Sequence, residues 1–380
     1  MAALPAFQPL AKNVSVRHFV LQCLRPFVRR ARSGKTEGVV SWVHVQAPVR
    51  VLDAGGWTDT WFASHGLVCH LAVEPGAEVV AKVLPNQAGT RPHVSLKVPD
   101  FGDSYSFFLD ERPGLHPLLE AALVRWAPPG ASLEVSVSSA VPAGSSLGTS
   151  ASVAVALIAA LRALGEEPLV SAELARAAHD IETKDLGRQS GVQDQVAAAF
   201  GGASLVSVRP YPSFDVEPVR IEPATLAALG ERVVTAYLGA FHDSSAVHET
   251  VIAHLEGDST TAERLLEPMR QAAQHAAKAL AAGDLAAYGE AMVANTDAQA
   301  GLHPSLVNPL ARDVIGAAAG AGALGWKVNG AGGPGGTVTL LGPEGPRELA
   351  KMVEQVEGVA GVEILGLRPA PAGARVVESQ

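Results

Sequence analysis

The sequence predicts an α+β fold in two parts, and three observations carry that reading. Strand-type patterns crowd the first 140 residues. A block of helix patterns follows, over about residues 149–200. The second half is mostly helical, with three short strands near its end instead of a regular strand–helix alternation. A chain of 380 residues is long enough for two domains with substantial cores.

The elements follow in order. Val43, Val45, Val49 and Val51 alternate around Pro48 and predict a strand that ends at the Gly55-Gly56 turn. Two further strands are expected over 67–73 and 77–83, separated by Pro75-Gly76. Residues 94–98 and 105–109 read as a hairpin across Phe101-Gly102-Asp103. A helix is expected over 115–126, then a half-buried strand over 133–137. A Gly/Ser-rich loop at 143–149 feeds an Ala-rich helix to about Leu164. Ser171 is a suitable N-cap for a helix running towards Lys184, and a helix over 192–200 stops at Gly201-Gly202. Past a connection bearing Pro210, Pro212 and Pro218, helices are expected over 246–256, 260–282, 285–300 and 304–321. Strands over 325–328 and 337–341, a helix over 346–356 and a strand over 362–367 complete the second part.

Composition excludes several function classes. Hydrophobic residues make up 48% and charged residues 18%, which is globular and not disordered. A net charge of −9 argues against a general nucleic-acid role, because a phosphate backbone needs clustered cations. Two cysteines, Cys23 and Cys69, make no disulfide framework and fit a reducing compartment, so a cytoplasmic location is expected. No apolar run is long enough to predict a membrane span. Residues 1–38 stand apart as a basic extension, with Arg25, Arg29, Arg30 and Arg32 among the cations and Glu37 as the lone acid. Such a start resembles a transit peptide, but a surface arm or an early reading-frame start is the plainer expectation.

The most informative segment runs Pro142-Ala143-Gly144-Ser145-Ser146-Leu147-Gly148-Thr149-Ser150-Ala151-Ser152, after a predicted strand and into a helix. A helix start carries unpaired N–H groups and partial positive charge, glycines allow a phosphate to approach closely, and hydroxyls add donors or a metal contact. The Lys of a Walker A loop is absent, since Thr149 stands there. An ordinary capped helix behind a Gly/Ser loop is the bland alternative.

This segment resembles the central motif of the GHMP kinases, the family of galactokinase, homoserine kinase and mevalonate kinase. That motif reads Pro, three residues, then Gly-Leu-Gly-Ser-Ser-Ala-Ser; here Ser146 replaces its first Gly and Thr149 its first Ser. The resemblance continues in Ala47-Pro48-Val49-Arg50 with Gly55-Gly56-Trp57-Thr58-Asp59-Thr60, similar to fucokinase-type and heptose-phosphate-kinase-type members. It ends in the Gly-rich run 329–336, so three motifs fall in the family order. The implied fold is a two-domain α+β GHMP kinase. An N-terminal mixed sheet with helices, ribosomal-protein-like, would span 39–208, and a ferredoxin-like α+β domain 209–380.

The resemblance also implies the chemistry. ATP would sit on Pro142, Gly144, Ser145, Ser146, Leu147, Gly148, Thr149 and Ser150. Ser150 and Glu182 would hold Mg²⁺, which prefers hard oxygen ligands and takes few from the protein. Asp194 would accept or orient the proton of the acceptor hydroxyl, and Arg50 would stabilise the moving phosphoryl charge or keep Asp194 ionised. Gly56, Trp57, Asp59, Gly332 and Gly333 would contact the substrate, a carboxylate suiting a polyol and an aromatic ring a sugar face. Without the family match, Glu182, Asp194 and Arg50 would read as solvated surface charges.

Fucokinase-type sequences place an acid two residues after the Arg. Here Leu52 holds that place and Asp53 follows, and strand neighbours face opposite ways, so Asp53 is expected to miss the pocket. His242-Asp243 stands where heptose kinases often carry a basic residue, which argues against a phosphorylated acceptor. The expected function is therefore ATP- and Mg²⁺-dependent phosphorylation of a sugar or sugar-like polyol, by a monomer or homodimer. The alternatives are a GHMP kinase for a non-sugar alcohol and a non-catalytic ATP/sugar sensor.

Overall fold

The computed structural model describes residues 41–85, 91–165, 167–239 and 245–380. The basic extension and His242-Asp243 lie outside these residues. Residues 40–380 form one compact unit.

Two sheets organise it. Strand β1 (Trp42–Ala54) pairs antiparallel with β2 (Gly66–Leu84), a single 19-residue strand. The expected break at Pro75-Gly76 does not occur. Ala77 onward simply changes neighbour, because the first half of β2 pairs with β6 (Ala203–Val208) and the second with β5 (Ser132–Ser139). Beyond β5 lie β3 (His93–Val98), which pairs parallel with β5, and β4 (Asp103–Phe108), which closes the expected hairpin. Among the described residues this first sheet has nine strands.

The Pro-rich connection turns out to be a hairpin. Pro210 and Pro212 lie in its turn, and among the described residues β7 (Phe214–Pro218) pairs with β6 alone. An edge strand tolerates a proline because one of its sides needs no ladder hydrogen bond. The chain also returns to the first sheet at its end: Arg368–Pro369 pairs with β2, and Arg375–Ser379 pairs with β1 outside it. A boundary at residue 208 therefore does not divide the two sheets.

Helices α1 (Pro117–Trp126), α2 (Thr149–Leu164), α3 (Ser171–Asp180) and α4 (Gln193–Phe200) bury their apolar sides on the first sheet. Alternating Val43, Val45 and Ala47 on β1 and Ala77, Val79 and Ala81 on β2 face this core, as period-two patterning requires. The N-cap of α3 is Val170 and not Ser171; the Glu173 carboxylate accepts from the Val170 N–H at 3.3 Å. α3 runs on into a single wide turn, Ile181–Asp185, where the Leu186 N–H reaches back to Ile181 C=O at 3.1 Å. Such turns are frequent at functional positions.

The other sheet comprises β8 (Val233–Tyr237), β9 (Gly325–Val328), β10 (Thr337–Leu341) and β11 (Glu363–Leu365). Its core takes in α9 (Pro309–Gly320) and α10 (Pro346–Glu357). Helix α5 (Pro223–Arg232) leads into β8. Helices α6 (Ser245–Gly257), α7 (Ser259–Ala282) and α8 (Leu285–Leu302) lie between the sheets in sequence. Ala273, Ala276, Leu280, Tyr288 and Met292 of α7 and α8 pack on Val49, Val51 and Leu71 of β1 and β2. This joins the helical segment to the stretch of β1 that carries Arg50.

Candidate active site

A cleft of about 280 Å³ opens where β1, the loop 189–191 before α4, α4 itself, α6 and the Gly-rich run meet. Arg50, Trp57, Asp59, Trp61, Ser190, Asp194 and His248 are among its lining.

The loop that opens α2 stands beside this cleft. Gly144 (φ +75°), Ser146 (φ +60°) and Gly148 (φ +73°) all adopt left-handed backbone. The serine that replaces a family glycine thus keeps a glycine-like conformation, at a steric cost of about 1–2 kcal/mol for a residue with a Cβ. The loop is tied down on its inner side. Leu147 is buried and its C=O accepts from the Arg50 N–H at 3.0 Å, while Ser145 C=O accepts from Thr337 Oγ1 at 2.8 Å. Ala143, Gly144 and Ser150 are exposed on the outer side, with Pro142 and Thr149 half-buried. Gly148 is the N-cap of α2 and offers no side-chain acceptor, which leaves the first-turn amides open to an anionic ligand.

Asp194 sits in the first turn of α4, directly against that loop. A Cβ on Gly148 would come within 3.0 Å of Asp194 Cγ, so the glycine serves both its own φ and this close approach. Arg50 donates from Nε to Asp194 Oδ1 at 2.8 Å and from Nη1 to Ser146 C=O. Arg50 is only 3% exposed, whereas the Asp194 side chain is 30% exposed and remains reachable from the cleft.

Asp59 has a second task. Its Oδ2 accepts from the Val192 and Gln193 N–H groups at 2.8 and 3.0 Å, capping the helix that carries Asp194. Gly191 is needed beside it, because a Cβ there would lie 2.2 Å from Oδ2. Burial pushes the Asp59 carboxyl up to about 6, with the nearby Asp194 charge adding to the effect and the amide hydrogen bonds opposing it.

Glu182, on the wide turn, accepts from Ser150 Oγ, from Ser190 Oγ at 3.2 Å and from Gln195 Nε2. It is 5% exposed, and among the described residues no Lys, Arg or His pairs with it. Burial raises its pKa, as expected for a carboxylate whose counter-charge is not supplied by protein. A buried carboxylate oxygen touching an exposed serine hydroxyl is a donor set that fits Mg²⁺.

Trp57 (φ +77°) is buried, donates from Nε1 to Ala331 C=O at 3.2 Å and meets His248 edge-on at 5.8 Å. Gly56 lies beneath the cleft, where a Cβ would stand 3.1 Å from Asp53 Oδ2 and 3.2 Å from Gln193 Nε2. Gly332 and Gly333 do not line the cleft; Gly330 and Ala331 do. The polar groups of the former pair are engaged by the protein. Gly332 C=O lies 3.0 Å from His248 Nε2, the Gly333 N–H donates to Leu306 C=O at 2.9 Å, and Gly333 C=O accepts from Asn308 Nδ2 at 2.6 Å.

Asp53 stays out of the cleft, as expected, but it faces the buried side of Arg50 because β1 shifts register between Val51 and Ala54, with Leu52 at φ +59°. Sequence reasoning missed that contact and its partner Lys327, because strict alternation fails at that bulge. Asn329 fixes the same corner, accepting from the Leu52 N–H at 3.0 Å and donating to Thr337 and Thr339.

Fold and site together show an α+β protein in which a helix start without a side-chain cap faces an Arg-paired aspartate. The comparisons agree with the fold. Residues 117–202 match the profile described as GHMP kinases N terminal domain. A D-glycero-alpha-D-manno-heptose 7-phosphate kinase of Campylobacter jejuni is 31% identical over 147 residues, 39% of this chain; the match spans 42% of that relative's length. The structure resembles a D-glycero-D-manno-heptose 1-phosphate kinase from Bacteroides thetaiotaomicron (TM-score 0.68, 22% identity, 88% of this chain and 99% of that one). It also resembles Lactococcus lactis galactokinase crystallised with galactose (TM-score 0.69, 18% identity, 94% and 99%). The family match is confined to residues 117–202, the stretch that holds the loop before α2, Glu182 and Asp194. Among the described residues, no helix is long and apolar enough to cross a membrane.

Proposed function

We propose that this protein transfers the γ-phosphoryl group of ATP, with Mg²⁺, to a hydroxyl of a sugar-type acceptor. The observation that carries the reading is the contact of Asp194 with Gly148. It puts an Arg-paired carboxylate beside the open start of α2, where a triphosphate's end would lie.

Phosphoryl transfer asks little covalent help from protein and much alignment. The loop amides and hydroxyls from Gly144 to Ser150 would hold the phosphates. Ser150 and Glu182 would hold Mg²⁺, which when bound neutralises phosphate charge. Asp194 would accept a hydrogen bond from the acceptor hydroxyl and take its proton. Arg50 keeps Asp194 oriented at the cleft wall. Asp59 would orient α4 through its cap and, from its place in the lining, meet acceptor hydroxyls. The nucleotide loop and most of the acceptor wall fall within residues 39–208, and His248, Ile252, Gly330 and Ala331 complete the wall from residues 209–380.

The wall supports a sugar. Trp57, Trp61, Phe62 and Ile252 supply apolar surface, and Ser190, Gln193 and His248 supply polar groups. That mixture suits a ring with both C–H faces and hydroxyls. Two relatives are named for heptose phosphates, so these acceptors head the assay. The test is ADP release across hexoses, deoxyhexoses, uronic acids, inositols and heptoses, each free and as its phosphate. Turnover confined to a non-sugar alcohol would reject the acceptor class, and ATP binding without any turnover would reject the transferase reading.

A further inference from the structure

We propose that Asp53 and Lys327 are positioning residues, which hold Arg50 and through it Asp194 by completing a buried row of alternating charge. The proposal rests on the reading of Asp194 as the proton acceptor.

The row can be followed atom by atom. Asp194 Oδ1 is 2.8 Å from Arg50 Nε. Arg50 Nη2 is 3.8 Å from Asp53 Oδ2, and Asp53 Oδ1 is 3.5 Å from Lys327 Nζ. The three inner members are almost completely shielded from water, at 3% for Arg50, 0% for Asp53 and 1% for Lys327. Neither Asp53 nor Lys327 lines the cleft, and both are buried behind it.

Each inner group is also held by neutral partners. The Gly330 N–H donates to Asp53 at 3.0 Å, and Lys327 Nζ donates to Gln299 Oε1 at 3.1 Å and to Val328 C=O. Burial lowers the Lys327 pKa, and Asp53 opposes that shift.

The chemistry follows from charge balance. Two cations and two carboxylates sum to zero, and a low-dielectric interior tolerates them only as a set. Removing one member leaves a net charge beside Arg50, whose guanidinium must then move or recruit water. Among the described residues Arg50 is the sole cation contacting Asp194, so its displacement releases the base. The row also links the strands: Arg50 and Asp53 belong to β1, Lys327 to β9 and Asp194 to α4. It thereby couples the proposed base to the second sheet. The left-handed Leu52 is what turns Asp53 into the row, and strained backbone of this kind persists where surrounding structure requires it.

The test uses Asp53→Asn, Lys327→Met and the double variant, each with a melting curve. Each single variant is expected to lower kcat at least ~10-fold with KM for ATP within ~3-fold, the pattern of a group acting on the transition state. The double variant restores neutrality and is expected to regain at least half of the logarithmic loss, a coupling that mere loss of packing would not produce. A second readout needs no turnover. Hydrogen exchange of the Arg50 Nε–H, followed by ¹⁵N NMR, should be slow in the wild type, fast in the single variants and slow again in the double variant.

Wild-type kcat in either single variant, or a double variant no better than the singles, overturns the proposal. If the singles fail to fold, the double variant decides: a slowly exchanging Nε–H supports the row and a fast one overturns it. Should the wild-type protein turn over no acceptor, the kinase reading falls, and the NMR comparison still judges the positioning of Arg50.

Discussion

Asp194→Asn is the perturbation with the most to reveal. The substitution keeps shape and removes both the charge that faces Arg50 and the ability to take a proton. A hydrogen bond to a charged group contributes about 1.5–3 kcal/mol to stability. The Asp194 side chain is 30% exposed, so solvent screening places the folding cost towards the lower part of that range. Turnover should suffer more. Positioned acid–base help contributes roughly 10²–10⁴-fold, equivalent to about 3–5 kcal/mol of barrier. The loop amides and Ser150–Glu182 are untouched, so ATP affinity should stay within about 3-fold, as for a group that acts only in the transition state. Calorimetric titration with ATP measures the first quantity and coupled ADP release the second. Turnover within 3-fold of wild type, or ATP binding lost in parallel with turnover, would refute the role of Asp194.

Other expectations follow from the same geometry. Glu182→Gln removes the anionic oxygen beside Ser150 and should raise the Mg²⁺ concentration needed for half-maximal rate at least ~10-fold, as loss of a direct carboxylate ligand would; a magnesium titration at saturating ATP reads this. Gly148→Ala forces a Cβ to 3.0 Å from Asp194 Cγ at φ +73°, and should cost about 1–2 kcal/mol of stability and lower kcat, as denaturant melts and initial rates would show. Asp59 titrates near 6 in the folded protein and near 3.8 otherwise, so the folded state holds the proton more tightly. Its stabilising contribution is present in full below about pH 3.8 and is lost as pH rises through 6, on the order of 3 kcal/mol by linkage. Asp59→Asn retains an oxygen for the Val192 and Gln193 amides, so it should flatten that slope in denaturation at pH 4.5 and 7. Burial pushes the Cys69 thiol up to about 12, so it should resist alkylation at pH 8 until the protein unfolds, as mass spectrometry would record.

The parts of the site written in contiguous residues were legible. The loop from Pro142 to Ser152 carries its glycines, hydroxyls and helix start in one stretch, and its geometry needs only local backbone. Asp194 was legible for the same reason, through the motif around it. Asp53 was not. Its orientation depends on a register shift that alternation cannot foresee, and its partner Lys327 is remote in sequence. The glycine run 329–336 announced close backbone packing but not which peptide faces the cleft, since His248, Leu306 and Asn308 decide that from elsewhere. Among the strands, β6 and β8 passed unread, and β7 was hidden by the prolines that an edge permits. Arg375–Ser379 was hidden because Val376 and Val377 are both half-exposed, a pattern indistinguishable from a tail. The continuity of β2 was masked by Pro75-Gly76, which marks a change of neighbour and not a turn.

The strand Arg375–Ser379 has a consequence for biogenesis. It borders β1 through Val43–Ser379 and Gln46–Arg375 pairs, and Gln380 C=O accepts from the Ser41 and Trp42 amides. A nascent chain therefore carries an unguarded sheet margin, a few residues from Arg50, for the whole time the ribosome needs to reach residue 379. Pairing across such a sequence span is slow, and open strand margins invite aggregation. Proline substitutions within 375–379 should lower the yield of folded protein well before they alter its chemistry.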